Sequence, residues 1–362
     1  MEEKLPFYRG CLLGMAIGDA MGYRVDSITW QQIQEDYGPN GLMGYDLKDL
    51  DYAPVTSYTQ IAAFLCNGML LGLSRARGEY LRWCKVALKE WNRSQQFYRD
   101  PEDSYCFLCK IPSYHRRYCR DPRMQDNLRL EAFGSVAEPR NNNSTPGAIT
   151  AGIAAGLLYQ PDRISPEQLG ELAAELIALT HGNPETFLSG VVLAYSLAGI
   201  LHDPGVPLSE QFMQAVELVE AQYGSRFPQM VELSQTLRRG IGLSQAGGIS
   251  KQQGIERLEC MTASQCLAGA MYACLASPDD FDEAIVTAVN HSGLSAAVGA
   301  LTGAIMGARL GEGVLPDFYL ESLEDTDILR VLAVDMATGT RAQGLFDDSW
   351  DHKYEQGLPP EI

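Results

Sequence analysis

Two stretches of this chain carry glycine at every fourth position: Gly10, Gly14, Gly18 and Gly22, and later Gly299, Gly303 and Gly307. Residues four apart lie on one face of an α-helix. Each glycine costs an isolated helix about 1 kcal/mol relative to alanine. Such a stripe makes sense only where close approach of a neighbouring backbone repays that cost. The spacing therefore predicts two central helices packed tightly in a helical core. A related small-residue pattern drives membrane-helix dimerisation. Polar residues interrupt both segments here, so the core reading is preferred.

Composition narrows the class. Hydrophobic residues make up 46% and charged residues 20% of the 362 positions, as in soluble globular proteins. The length suits a large core, and residues 1–362 read as a single domain. The formal net charge of −18 opposes nucleic-acid binding, because phosphate repels a surface of that sign. No apolar run reads as long and clean enough to span a bilayer; the tract 10–22 carries Asp19 between flanking Arg9 and Arg24. The opening Met-Glu-Glu-Lys lacks the basic and apolar regions of a signal peptide, so a cytoplasmic location is expected. Nine cysteines, among them Cys11, Cys66, Cys266 and Cys274 in apolar stretches, read as buried free thiols in a reducing compartment.

Hydrophobic periodicity predicts helices over 5–22, 59–76, 79–93, 145–159, 166–179, 184–201, 209–223, 228–238, 261–276, 279–290, 295–310 and 325–338. Period-two alternation is scarce, so the fold class is all-α. Ser165-Pro166 with Glu167, and Asn183-Pro184 with Glu185, carry helix-entry chemistry. Loops of the size expected at 38–55 and 120–144 are more often site walls than accidents.

The chemistry-bearing segments follow the stripes. Asn290-His291-Ser292-Gly293 precedes Leu294-Ser295-Ala296-Ala297 and the second glycine helix. Tyr8-Arg9-Gly10 through Gly18-Asp19-Ala20-Met21-Gly22 opens the first, and Tyr23-Arg24-Val25-Asp26 follows it. Thr56-Ser57-Tyr58-Thr59-Gln60 and Thr180-His181-Gly182-Asn183-Pro184 begin two more helices. Together these resemble the signatures of the ADP-ribosylglycohydrolase family. The resemblance implies a compact orthogonal all-α bundle with a central cleft, and a dinuclear magnesium site as the family's cofactor.

The resemblance breaks at the metal ligands. The family reads Thr-Asp-Asp-Thr-Gln where this chain has Ser57 and Tyr58, and Asp-Ser-Asp-Ser where it has Leu294 to Ala297. Magnesium takes oxygen ligands, usually with at least one carboxylate. A phenol is a poor ligand at neutral pH, and leucine and alanine offer no donor. The family's catalytic glutamate is matched by Asp26, one methylene shorter. Asp26 is thus a candidate acid or base, or alternatively a helix cap. A family arginine corresponds to Ala151, and paired glutamates to Ser264 and Gln265. No metal is expected.

The cleft implied by the resemblance is lined by Asp26, Thr56, Ser57, Tyr58, Thr59, Asn143, His181, Gly293, Leu294 and Ser295. Three functions fit it. The first is an impaired or inactive member that binds an ADP-ribose-like molecule, another nucleotide sugar, or an ADP-ribosylated protein. The second is a metal-independent glycosidic hydrolase working through Asp26, although such enzymes generally need two carboxyl groups. The third is a structural or regulatory protein whose cleft is filled by Tyr58 and Leu294. Outside the resemblance, Cys106, Cys109, His115 and Cys119 have spacing close to a zinc knuckle.

Overall fold

A computed structural model describes residues 2–48, 50–75, 79–95, 104–115, 121–129, 133–339 and 348–355. The elements are α1 (Leu5–Gly22), α2 (Trp30–Tyr37), α3 (Ser57–Arg75), α4 (Tyr80–Ser94), α5 (Pro122–Arg129) and α6 (Ala151–Leu158). Then come α7 (Pro166–Ala178), α8 (Pro184–His202), α9 (Leu208–Tyr223), α10 (Met230–Ser244) and α11 (Lys251–Glu256). The chain continues through α12 (Ala263–Ala276), α13 (Phe281–Val289), α14 (Ser295–Leu310), α15 (Asp317–Ser322), α16 (Thr326–Gly339) and α17 (Asp348–Tyr354). No strand is present among the described residues, only an isolated parallel bridge between Ala53 and Leu323.

The two glycine stripes meet each other. Gly10 faces Gly307, Gly14 faces Gly303, Gly18 faces Gly299, and Gly22 faces Ser295. The pairing steps four residues along each helix in opposite directions, so α1 and α14 run antiparallel in strict register. A Cβ on any of these glycines would collide with a carbonyl of the partner helix rather than with a side chain that can swing away. The pair is wholly buried through most of its length. α3 and α16 pack on α1, and α8, α12 and α13 pack on α14.

Two expectations change. The helix predicted over 145–159 is split: Pro146–Ala148 forms a short 3-10 turn, and α6 starts only at Ala151. The break presents the Thr150 hydroxyl to the Tyr58 carbonyl at 2.9 Å, tying this loop to the start of α3. Second, α8 is long and apolar enough to cross a membrane by length and composition, contrary to the reading that no such run exists. Most of that helix is buried inside the bundle. Its apolarity is that of a core helix hydrophobic all round.

Candidate functional site

The start of α3 is organised by Asp19, a residue of α1. Its Oδ1 accepts the Thr56 hydroxyl at 2.6 Å. Its Oδ2 accepts the Thr56 amide at 2.9 Å, the Thr59 amide at 3.1 Å and the Thr59 hydroxyl at 2.6 Å. A carboxylate on first-turn amides satisfies donors that the helix itself cannot. Burial raises the Asp19 carboxyl to about 6 despite these four bonds. Thr56 and Thr59 thus have their hydroxyls committed to a core carboxylate.

Between them stand Ser57 and Tyr58, both buried. Burial, with Asp26, Cys266, Asp19 and Asp121 nearby, pushes the Tyr58 phenol well above its ordinary range. Its hydroxyl has no hydrogen-bond partner among the described residues.

Asp26 follows a 3-10 turn at Tyr23–Val25 and reaches the start of α14, where its Oδ1 accepts the Ala296 amide at 2.9 Å. It therefore caps α14 from outside that helix. Ser27, at φ 64°, donates its amide to the Gly293 carbonyl at 3.0 Å and locks the two loops together.

The turn over 290–294 is a joint for several segments. Asn290 Oδ1 accepts the Leu42 amide at 2.7 Å, and its Nδ2 donates to the Leu42 carbonyl at 2.9 Å. Ser292 Oγ accepts the Trp30 amide at 2.9 Å. The Leu294 amide donates to the Cys260 carbonyl at 2.9 Å. Glu259 and Cys260 both sit at positive φ, 60° and 52°, which brings their carbonyls against Gly293. A Cβ at Gly293 would strike both oxygens, so only glycine fits. His291 is fully buried, with Nδ1 accepting the Gly293 amide at 2.9 Å. Burial lowers its pKa to about 4, so it is neutral with its proton on Nε2.

A second cluster was not visible in the sequence. Asp121 Oδ2 accepts from Asn143 Nδ2 at 2.9 Å, from the Thr145 hydroxyl, and from His181 Nε2 at 2.8 Å. His181 Nδ1 lies 2.9 Å from the Thr180 hydroxyl. Burial alone would raise the Asp121 carboxyl, but the His181 and Thr145 hydrogen bonds hold it well below the usual carboxylate range. Asn143 and His181, two of the expected cleft residues, are thus brought together by a carboxylate that the sequence reading passed over. Its signal was Asp121-Pro122, a helix-entry pair whose Oδ1 accepts the Met124 amide at 3.1 Å.

Glu185, on α8, was also missed. Its Oε1 accepts the amide and the hydroxyl of Ser264 at 3.2 and 2.7 Å, joining α8 to α12. Burial raises the Cys266 thiol, and Asp26 and Glu185 both lie close enough to add to that shift. The region therefore holds Asp26, Asp121 and Glu185, the last two beyond the residues that the sequence assigned to the cleft. Each of the three has oxygens committed to protein donors.

Of the expected cleft residues, Thr56, Ser57, Tyr58, Thr59, Asn143, His181, Gly293 and Ser295 are buried, while Asp26 and Leu294 are partly exposed. Near Cys106 and Cys109, Glu90 accepts both the Tyr105 and Cys106 amides, and His115 Nε2 meets the Cys109 carbonyl at 2.6 Å. Cys119, the fourth member of the zinc pattern, lies outside the described residues. Among those described, no group of three or more His, Cys, Asp or Glu side chains is arranged to hold a metal ion.

The comparisons with known proteins cover nearly the whole chain. The family model described as ADP-ribosylglycohydrolase matches residues 3–345. An uncharacterised protein of Archaeoglobus fulgidus is 24% identical over 339 residues, spanning 92% of this chain and 95% of that protein. A solved structure titled ADP-ribosylglycohydrolase-related protein complex superposes with a TM-score of 0.59 at 22% identity. It covers 94% of this chain and 100% of its own. At that identity the likeness speaks for the fold alone.

Proposed function

Because the chain belongs to the ADP-ribosylglycohydrolase family, we propose that it is a member without magnesium-dependent hydrolysis, one that binds an ADP-ribose-like or other nucleotide-sugar ligand. The observation that carries this reading is the donor set at the two signature turns. Ser57 gives one neutral hydroxyl, Tyr58 a phenol that burial keeps protonated, and Leu294 and Ala296 nothing. A hard dication needs several oxygens, normally with carboxylate charge, and these residues do not fit it. Asp26, the carboxylate nearest the family's catalytic position, accepts the Ala296 amide. General-base work needs an oxygen within reach of water on the substrate side. The free, buried cysteines among the described residues fit a reducing, cytoplasmic setting. The partner in this reading is free ADP-ribose or a protein that carries it.

The burial of Tyr58 and its neighbours favours a second reading, a structural or regulatory protein with a filled cleft. Titration calorimetry with ADP-ribose separates the two. Affinity that is equal with and without magnesium supports the binder, and no heat at millimolar ligand leaves only the filled cleft. Incubation with ADP-ribosylated protein releases no ADP-ribose if hydrolysis is lost. Release that Asp26→Asn abolishes overturns both.

A further inference from the structure

A cavity of about 290 Å³ opens between the end of α3, the start of α4, the end of α6 and α7. That volume is at the small end of the range for small-molecule sites. Leu73, Leu158 and Leu172 give it apolar walls, and Tyr80, Arg163 and Gln168 give it polar ones. These polar groups offer donors. Arg163 is exposed, and a guanidinium carries several N–H donors and no acceptor, so it can hold a ligand oxygen while keeping bonds to the protein. Gln168 spends its acceptor in the capping box of α7, where Oε1 takes the Ser165 amide at 2.9 Å, which leaves Nε2 as the end to donate. Tyr80 is half-buried, and its raised phenol stays protonated and able to donate. Gln160, also in the wall, gives its Nε2 to the Tyr8 hydroxyl at 3.2 Å.

The local charge is opposite in sign to the −18 of the whole chain. Arg163 is the charged residue of the lining. Burial raises the Tyr80 phenol, and Arg163 is the charged group that acts on it, in the opposite sense. The carboxylates carried by the same elements are engaged elsewhere. Glu79 pairs with Arg82 at 3.0 Å. Glu167 takes the Ser165 hydroxyl at 2.8 Å, and with Glu171 it bears on Tyr195 of α8. A guanidinium and a carboxylate make charge-assisted bonds stronger than neutral ones.

We propose that this cavity binds a small organic carboxylate with an apolar body, its carboxylate held by Arg163, Tyr80 and Gln168 and its body by Leu73, Leu158 and Leu172. Leu73 is roughly 24 Å from Ser57 along α3, at the usual rise per residue. The site is thus separate from the cleft between α1, α3 and α14, and does not depend on how that cleft functions.

The test is calorimetric titration of the full chain with sodium 3-phenylpropanoate and, in parallel, with 3-phenylpropan-1-ol and 3-phenylpropylammonium chloride. The carboxylate is expected to bind at least fivefold more tightly than either. Arg163→Gln is expected to remove that preference and leave the alcohol's affinity unchanged. Leu172→Trp, which fills the cavity, is expected to lower carboxylate affinity at least tenfold. Equal affinity for carboxylate and alcohol, tighter binding of the ammonium, no heat from the carboxylate at millimolar concentration, or wild-type carboxylate affinity in either variant overturns the proposal. Should a variant fail to fold by circular dichroism, methyl-labelled leucine spectra of the wild-type chain decide. Carboxylate-dependent shifts at Leu73, Leu158 and Leu172 support the site, and their absence removes it.

Discussion

The α1–α14 pair is held in two different ways along its length. From Gly10 to Gly22 each glycine of the stripe meets the backbone of the partner helix. Gly22 still meets the Ser295 backbone, but beyond it side chains carry the joints: Asp26 takes the Ala296 amide, and Asp19 takes the amides at the start of α3. The first region accepts one residue type. The second accepts any side chain that satisfies an amide or fills space. This difference lets a chain keep the family fold while its signature turns change composition. The side chains at 57, 58, 294 and 296 are not among the groups on which the seam rests.

The strongest way to break this comparison is to load the seam. Gly303→Val places two methyl groups against the Gly14 carbonyl, where neither backbone can move without separating the helices. Destabilisation of about 4 kcal/mol or more is expected in chemical denaturation. A loss below about 1 kcal/mol would show that the seam is loose and the register incidental.

The seam was legible in the sequence because its cause is local: glycine at every fourth residue weakens a helix unless a second backbone lies against that face. The long helices were legible because their periodicity is local too. Short helices such as α2 and α11 were missed, being shorter than the window over which a periodicity of 3.6 declares itself. Asp121 could not be found by pattern, since it meets Asn143 and His181 across 22 and 60 residues of chain. Asp26 and Ala296 lie 270 residues apart, so the sequence left Asp26 open between cap and base. The hydrogen bond shows the cap. Contacts made by side chains across such distances depend on where the helices finally sit, and no local rule carries that information.

The next test pits Asp19 against His291. Burial raises the Asp19 carboxyl from an ordinary 3.8 to about 6, so the folded chain binds that proton more tightly than the unfolded chain. Asp19 therefore adds stability as pH falls from about 6 to 4, and this gain is lost as pH rises through 6. Burial lowers His291 from an ordinary 6.5 to about 4. The unfolded chain binds that proton more tightly, so His291 withdraws stability as pH falls through the same window. Each effect is on the order of 3 kcal/mol. The two oppose, and urea midpoints for the wild type are expected to change little between pH 6.5 and 4. His291→Phe removes one side of the balance, and its midpoint is expected to rise on acidification. A wild-type midpoint that falls steeply over this range would mean that Asp19 does not carry the opposing share.

Smaller effects belong to the site end. Asp26→Ala leaves the Ala296 amide uncapped and is expected to cost about 1 kcal/mol, the usual worth of a side-chain cap. Tyr58→Phe is the finest probe. The Tyr58 hydroxyl has no hydrogen-bond partner among the described residues, while its ring is packed in the core. If the ring merely fills space at the start of α3, removing the hydroxyl changes stability by less than about 0.5 kcal/mol in either direction, because no protein hydrogen bond is broken. The same variant then also leaves ADP-ribose affinity unchanged. A tenfold loss of that affinity would instead make the hydroxyl a ligand contact. The end of the α1–α14 pair would then be an open site whose polar group awaits its partner, rather than a space that side chains have closed.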